Sequence, residues 1–145
     1  MIRLATEDDV DDLVEIAKEF YAEQLHKTGI TLKNDDELKI DLTSIIGLEN
    51  SISLVIVEDD IVVGVISGII TNRMFFEGKI AQELVWFVSK VNRVSGIKLL
   101  KEFEKICIEK GCNEIVMVAF NNTHANDIYE KLGYSKLETN YQKRI

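Results

Sequence analysis

The sequence predicts a mixed α/β fold: a central, mostly antiparallel sheet of six to seven strands with four helices on its two faces. Short apolar or alternating runs indicate strands, and longer runs carry apolar residues at helical spacing. Two of the strands form a hairpin, and a β-α-β unit follows them. Since a hairpin makes antiparallel neighbours and a β-α-β unit makes parallel ones, we expect a mixed sheet.

The N-terminal part of the chain predicts one short strand and two helices. Residues 2–5 alternate and indicate the strand. Thr6 is the expected N-cap of a helix over residues 8–21, and Asp9 completes a pattern like a capping box. The second helix opens at Asp35-Asp36 and stops at Gly47.

The rest of the chain alternates strands with two more helices. The turn Asp59-Asp60 joins a hairpin, and Gly111 and Gly133 each end a helix. The predicted strands cover residues 52–58, 61–71, 80–88 and 114–120, with one or two more in 134–145, and the helices cover 95–110 and 123–132.

Length and composition predict one domain spanning residues 1–145, without repeats or a Pro/Gly-rich linker. We expect no signal peptide, and no apolar run reaches the length of a membrane span. Two cysteines, Cys107 and Cys112, match neither a disulfide framework nor a zinc site, so we expect no metal. Free thiols without an export signal indicate a cytoplasmic protein.

The net charge of −8 argues against nucleic-acid binding, which requires phosphate neutralisation. An acidic chain favours cationic partners such as amines. Much of the acid, however, lies in residues 7–12 and 35–37, where carboxylates stabilise helix starts. The charge therefore gives only a weak indication of the partner.

The segment from Asn122 to Tyr134 is the most informative part of the chain. Tyr129 precedes a Lys-Leu-Gly-Tyr stop, Asn122 lies seven residues before it, and Ala125 lies between them. A phenol can donate a proton to a departing thiolate. The structural alternative for Tyr129 is an aromatic ring packed in the core, and Asn122 can cap the helix that follows.

Glu83 is an acidic residue within an apolar run, residues 83–88. Burial among Leu84, Trp86 and Phe87 would raise its pKa and suit it to act as a general base. The alternative is a glutamate at a bulge or edge that faces solvent or forms a salt bridge. The sequence leaves both interpretations open.

The turn between that strand and the next helix is the candidate phosphate site. Helix N-terminal amides bind anions, and glycine lets the backbone approach them. Arg93 and Lys98 add positive charge here. The candidate residues in this turn are Arg93, Val94, Ser95, Gly96, Ile97 and Lys98. The alternative is an ordinary strand-to-helix turn.

These three segments resemble the Gcn5-related N-acetyltransferase (GNAT) family. The resemblance implies a gap between two parallel strands that holds the pantetheine arm of acetyl-CoA, bonded to the strand backbone at Phe87 and Val88. It also implies that Asn122 bonds to the pantetheine amide. In one register Arg93 and Gly96 match the family's Arg/Gln-x-x-Gly-x-Gly/Ala turn, with Lys98 in place of the second small residue. In the other, Gly96 is the second glycine, and Val91 and Val94 replace the arginine and the first glycine.

The resemblance predicts an acetyl-CoA-dependent N-acetyltransferase that acts on a primary amine by direct attack in a ternary complex. Glu83 or water would take the amine proton, and Tyr129 would protonate the departing sulfur. The alternative is a non-catalytic acyl-CoA sensor or an interaction module, which the incomplete glycine turn favours. The acceptor is not specified by the sequence, and apolar edge strands make a homodimer plausible.

Overall fold

The computed structural model describes residues 1–121 and 123–145, and within them the chain forms five strands and four α-helices. The predicted order of elements is confirmed from the first strand to the fourth helix, but the β segment predicted after that helix is absent from the described residues. The predicted fold class is confirmed as well, but the number of strands, six to seven, was wrong. The strands are β1 (Ile2–Leu4), β2 (Ser51–Glu58), β3 (Ile61–Asn72), β4 (Lys79–Val88) and β5 (Glu114–Val116). The helices are α1 (Val10–Phe20), α2 (Asp35–Gly47), α3 (Gly96–Glu109) and α4 (His124–Lys131).

The missing strands belong to the C-terminal region. β5 ends at Val116, although the sequence predicted a strand to residue 120, and residues 134–145 contain no strand within the described chain. Residues 135–145 are all exposed. A strand that buries neither face and pairs with no neighbour has little to stabilise it, so apolar residues there do not make a strand.

The sheet has the order β1-β2-β3-β4-β5, antiparallel except for the parallel pair β4 and β5. The register of β3 on β4 shifts between Ser67 and Gly68, because Ser67 pairs with Val85 and Gly68 pairs with Glu83. Leu84 is therefore the extra residue of a bulge in β4. Such a bulge bends a strand and interrupts its alternation of faces.

Each face of the sheet has its own core. Leu54 and Ile66 belong to the cluster that contains α3 and Tyr129, whereas Val55 and Val65 belong to the cluster that contains α1. Neighbouring residues of one strand thus enter opposite layers, as a pleated strand requires. The sheet lies between α1 and α2 on one side and α3 and α4 on the other.

Caps fix where the first two helices begin. Ahead of α1, Asp9 Oδ2 accepts a hydrogen bond from the Thr6 amide at 2.8 Å and also pairs with Arg3, which holds the pKa of Asp9 below its usual value. At α2, the Glu37 amide donates to Asn34 Oδ1 at 3.0 Å. These bonds satisfy amides that the first helical turn leaves free.

Candidate active site

The candidate site begins where β4 and β5 separate. Their ladder has three pairs and its last joins Gln82 to Val116. β4 continues for six more residues, to Val88, without β5 beside it. The two strands therefore open into a gap directly after Gln82, at the position where the bulge at Leu84 bends β4.

Glu83 is the first β4 residue past the ladder, and its carboxylate faces the segment that follows β5. Glu83 is 9% exposed, and its Oε2 accepts a hydrogen bond from the Val118 amide at 2.6 Å. Burial raises the pKa of Glu83 from its usual value near 4.5 to about 7, against the opposite effect of the hydrogen bond from the Val118 amide. A carboxyl group with a pKa near neutrality can both accept and release a proton.

Tyr129 reaches the backbone of the same residue, Val118, from α4. Its hydroxyl donates to the Val118 carbonyl oxygen at 3.2 Å, so Glu83 and Tyr129 bind the two polar groups of one residue. The pKa of Tyr129 is raised, first by burial and then by the negative charge of Glu83. A base and a phenolic acid thus meet where the strands separate, and their protonation states depend on each other.

Trp86 is a site residue that the sequence did not indicate as a ligand. Its ring lies 5.5 Å from that of Tyr129, centroid to centroid. Its Nε1 is buried and has no hydrogen-bond partner among the described residues. A Cβ built on Gly96, at the start of α3, would lie 3.9 Å from this nitrogen. Strict alternation places Glu83 and Trp86 on opposite faces, so only knowledge of the bulge could have found this residue.

The predicted phosphate turn folds as a 3-10 turn, Lys90–Ser95, immediately before α3. The Gly96 amide donates to the Arg93 carbonyl oxygen, so it is already bonded. Arg93 pairs with Glu23 at 2.5 Å, and Lys90 lies 3.4 Å from the same carboxylate. The turn is cationic, as expected, but a carboxylate from the segment after α1 holds its charges.

The other residues predicted to bind the cofactor lie in or near this turn, and their side chains differ in solvent exposure. The Phe87 side chain packs on Phe20, with ring centroids 5.3 Å apart, so only its backbone can face the gap. Val88 is buried in the α3 layer. Val94, Ile97 and Lys98 are exposed, and Ser95 is half-buried. Asn122 lies outside the described residues.

The sequence of this chain matches a known protein family. The model of the acetyltransferase (GNAT) family matches residues 10–134. The chain belongs to the GNAT family. No curated protein matches the sequence.

Solved structures share this GNAT fold along the whole chain. A tetramutant of a Bacillus halodurans protein superposes with a TM-score of 0.87 at 15% identity, covering 100% of this chain and 99% of that one. A possible acetyltransferase from Clostridium difficile 630 gives 0.78 at 22% identity, covering 100% and 97%. An acetyltransferase from Trypanosoma brucei gives 0.76 at 18% identity, covering 100% and 99%. At these identities the likeness shows the fold alone.

GNAT proteins use acetyl-CoA as acyl donor, and the residues of this gap suit that molecule. The Trp86 N–H, which has no partner in residues 1–121 and 123–145, can serve an amide oxygen, and Gly96 leaves the start of α3 without a side chain. No group of three His, Cys, Asp or Glu side chains able to hold a metal occurs in residues 1–121 and 123–145. Within the same ranges, no helix is long and apolar enough to cross a membrane.

A second feature of this GNAT fold is a cavity of about 230 Å³ on the opposite face of the sheet. It lies between α1, α2 and the strands, and Leu84 and Val85 of β4 form part of its wall. The bulge thus borders the cavity on one face while Glu83, beside it, borders the gap on the other.

Proposed function

We propose that this chain is an acetyl-CoA-dependent N-acetyltransferase that moves an acetyl group to a primary amine by direct attack in a ternary complex. The observation that supports it most is the convergence of Glu83 and Tyr129 on Val118 at the opening between β4 and β5. The proposal includes one domain over residues 1–145 and a cytoplasmic location. Membership of the GNAT family supports acyl transfer in general.

Acetyl-CoA, when bound, supplies an activated acetyl thioester. The strand backbone at Phe87 and Val88 and the turn residues 93–98 would hold it, and we add Trp86 to this set as a hydrogen-bond donor. Asn122 is proposed for the same role from the family resemblance. Most of the acceleration in such a reaction comes from holding two substrates in the correct geometry.

Glu83 is proposed to take the proton of the acceptor amine, directly or through water. Its pKa of about 7 places it near the working pH, where a general base is most useful. Once Glu83 is protonated, its negative charge is gone. Because that charge raises the pKa of Tyr129, the phenol becomes a stronger acid at that moment.

Tyr129 is proposed to give its proton to the departing thiolate. With a neutral Glu83 beside it, the phenolate can recover a proton from the Glu83 carboxyl group. An ammonium substrate loses two protons in becoming an amide: one passes to the sulfur and the other is released to water, and both side chains return to their starting states. Neither side chain would therefore need a pKa suited both to taking a proton from the amine and to giving one to the thiolate.

A non-catalytic acyl-CoA sensor is the second candidate function. The observation that favours it is the turn at Lys90–Ser95, where Glu23 holds Arg93 and Lys90 and the Gly96 amide is already bonded. Binding of a diphosphate there requires these ion pairs to rearrange. A sensor would bind acetyl-CoA through the gap and release no thiol.

Two measurements distinguish the candidates. Acetyl-CoA is expected to raise the melting temperature, since a ligand of the native state stabilises it. Release of free thiol in the presence of a panel of amines then separates the enzyme from the sensor. A shift without thiol release at any amine would support the sensor, and the absence of both would remove acetyl-CoA from the proposal. The Tyr129→Phe variant is the matched control, since it should keep the shift and lose most of the thiol release.

A further inference from the structure

The cavity between α2 and the sheet has almost entirely apolar walls. Twelve of its fourteen lining residues are apolar, and the other two are serines. No charged side chain belongs to this set of described residues. A bare ammonium group is costly to bury without a partner, so the charged end of an amine has to stay outside. An apolar group of the same molecule can enter.

The two serines form a single polar point in the cavity wall. Ser53 and Ser67 pair directly across β2 and β3, and their hydroxyl oxygens lie 2.7 Å apart. Both residues are buried, at 9% and 4% exposure. Their mutual hydrogen bond uses one of two hydroxyl hydrogens. The second can be donated to a ligand oxygen that reaches this wall.

The opening of the cavity lies at the bulge. Of the described residues that line it, Leu84 alone is exposed, at 45%. Leu84 follows Glu83, and at this level β4 has no β5 beside it. A molecule that fills the cavity through this opening therefore keeps its outer end next to the gap between the strands.

We propose, on the basis of the proposed function, that the acceptor is an arylalkylamine: one ring that fills this cavity, a short chain and a primary amine. A cavity of roughly 150 Å³ holds one benzene ring, so about 230 Å³ holds a ring with a few further carbons. A hydroxyl on the far side of the ring meets the pair of Ser53 and Ser67. Polyamines and lysine side chains bring neither a ring nor an oxygen to this wall.

The test compares tyramine, 2-phenylethylamine, spermidine and a lysine-containing peptide by thiol release with acetyl-CoA. We expect kcat/KM to be about tenfold or more higher for the two ring amines, with tyramine ahead of 2-phenylethylamine by up to about tenfold. Ser67→Ala should remove the advantage of tyramine. Higher kcat/KM for spermidine or the peptide would overturn the inference and leave the proposed acetyl transfer intact.

Binding is measured separately, by ligand-observed NMR with tyramine and without acetyl-CoA. Ala17→Phe fills the cavity from α1 and should abolish the tyramine signal. Ile40→Phe, on the exposed side of α2 at 67%, is the matched control and should keep it. Melting temperatures with and without acetyl-CoA show whether each variant is folded. If tyramine does not bind, or binds Ala17→Phe equally well, the inference fails; if tyramine binds but acetyl-CoA does not, the proposed function fails instead.

Discussion

Helices α2 and α3 have nearly equal lengths and cover opposite faces of one sheet, yet they are held in different ways. In α3, Leu99, Leu100, Phe103 and Cys107 are all 0% exposed. None of the residues of α2, which all lie in the described part of the chain, is buried. α2 packs only partly buried residues, Leu42 and Ile46, against the core, and it adds an Asn34 cap and surface ion pairs with α1, each pair worth less than about 1 kcal/mol.

The difference in packing between α2 and α3 gives the two faces of the sheet different roles. The close packing behind α3 fixes the positions of Glu83 and Tyr129, which need a water-poor setting for their shifted pKa values. The loose seating of α2 leaves a cavity whose wall can adjust to a ligand. The proposed catalytic residues therefore lie on the closely packed face of the sheet, and the cavity lies on the loosely packed face.

The largest effect is expected on the closely packed face, from Glu83→Gln. Loss of a general base lowers kcat/KM by about 10²- to 10⁴-fold. In the wild type, kcat/KM should rise with pH through about 7 as Glu83 loses its proton. The variant should lack this step and recover part of its activity at high pH, where the amine is neutral. Glu102→Gln, a change at a partly exposed position on α3, is the control; an equal loss there would contradict the assignment.

Matched leucine truncations test the packing itself. Leu100→Ala on α3 should lower the free energy of unfolding by about 3 to 5 kcal/mol, because it leaves a hole in a closed layer. Leu42→Ala on α2 borders an existing cavity and should cost less than about 2 kcal/mol. Urea unfolding measures both. Equal losses would mean that the two faces are packed alike.

The stability of the closely packed face should also depend on pH through Glu83. Its pKa is about 7 in the folded chain and near 4.5 ordinarily, so the folded state holds the proton more tightly. As pH rises from about 4.5 to 7 the unfolded state loses this proton first, and the free energy of unfolding falls by about 2 to 3 kcal/mol before levelling. Glu83→Gln should remove this fall. Urea unfolding at pH 5 and pH 8 checks it, and an unchanged pH dependence would show that burial of the acid carries no such cost.

Tyr129→Phe should have an intermediate effect. We expect kcat to fall by about 10- to 100-fold, since a thiolate is a good leaving group and needs moderate acid help. The affinity for acetyl-CoA, measured by calorimetry, should stay nearly unchanged. Equal turnover in the two proteins would exclude Tyr129 as the acid, and a parallel loss of affinity would indicate a binding role.

The smallest effect is expected from Trp86→Phe. The ring remains, but the buried N–H that lacks a described partner is removed. Acetyl-CoA affinity should weaken by about five- to tenfold, corresponding to about 1 kcal/mol for one hydrogen bond. The chain without ligand should be as stable or slightly more stable, because an unsatisfied donor is gone. Unchanged affinity would remove Trp86 from the donor site.

Local patterns in the sequence predicted most of the elements. Caps such as Thr6, helix stops such as Gly133 and the turn Asp59-Asp60 act within a few residues, so their effects can be recognised in a single chain. The roles of Glu83 and Tyr129 remain predictions, and both side chains bind the backbone of Val118.

Features that depend on distant contacts could not be predicted in this way. The pairing of Arg93 with Glu23 joins residues 70 positions apart, and the sequence around either residue does not indicate it. The cavity depends on how far α2 stands from the sheet. The expected terminal strands failed for the same reason, because a strand requires a partner that the local pattern does not provide.

The bulge at Leu84 determines which residues of β4 face α3. Ahead of it, odd-numbered positions such as Ala81 and Glu83 face α3; beyond it, even-numbered positions such as Trp86 and Val88 do. Carboxylate and indole share a side although three positions separate them. If the full-length strand paired without this bulge, alternation would send the indole to the opposite layer, whereas loss of Leu84 together with the bulge would keep indole and carboxylate on the same side.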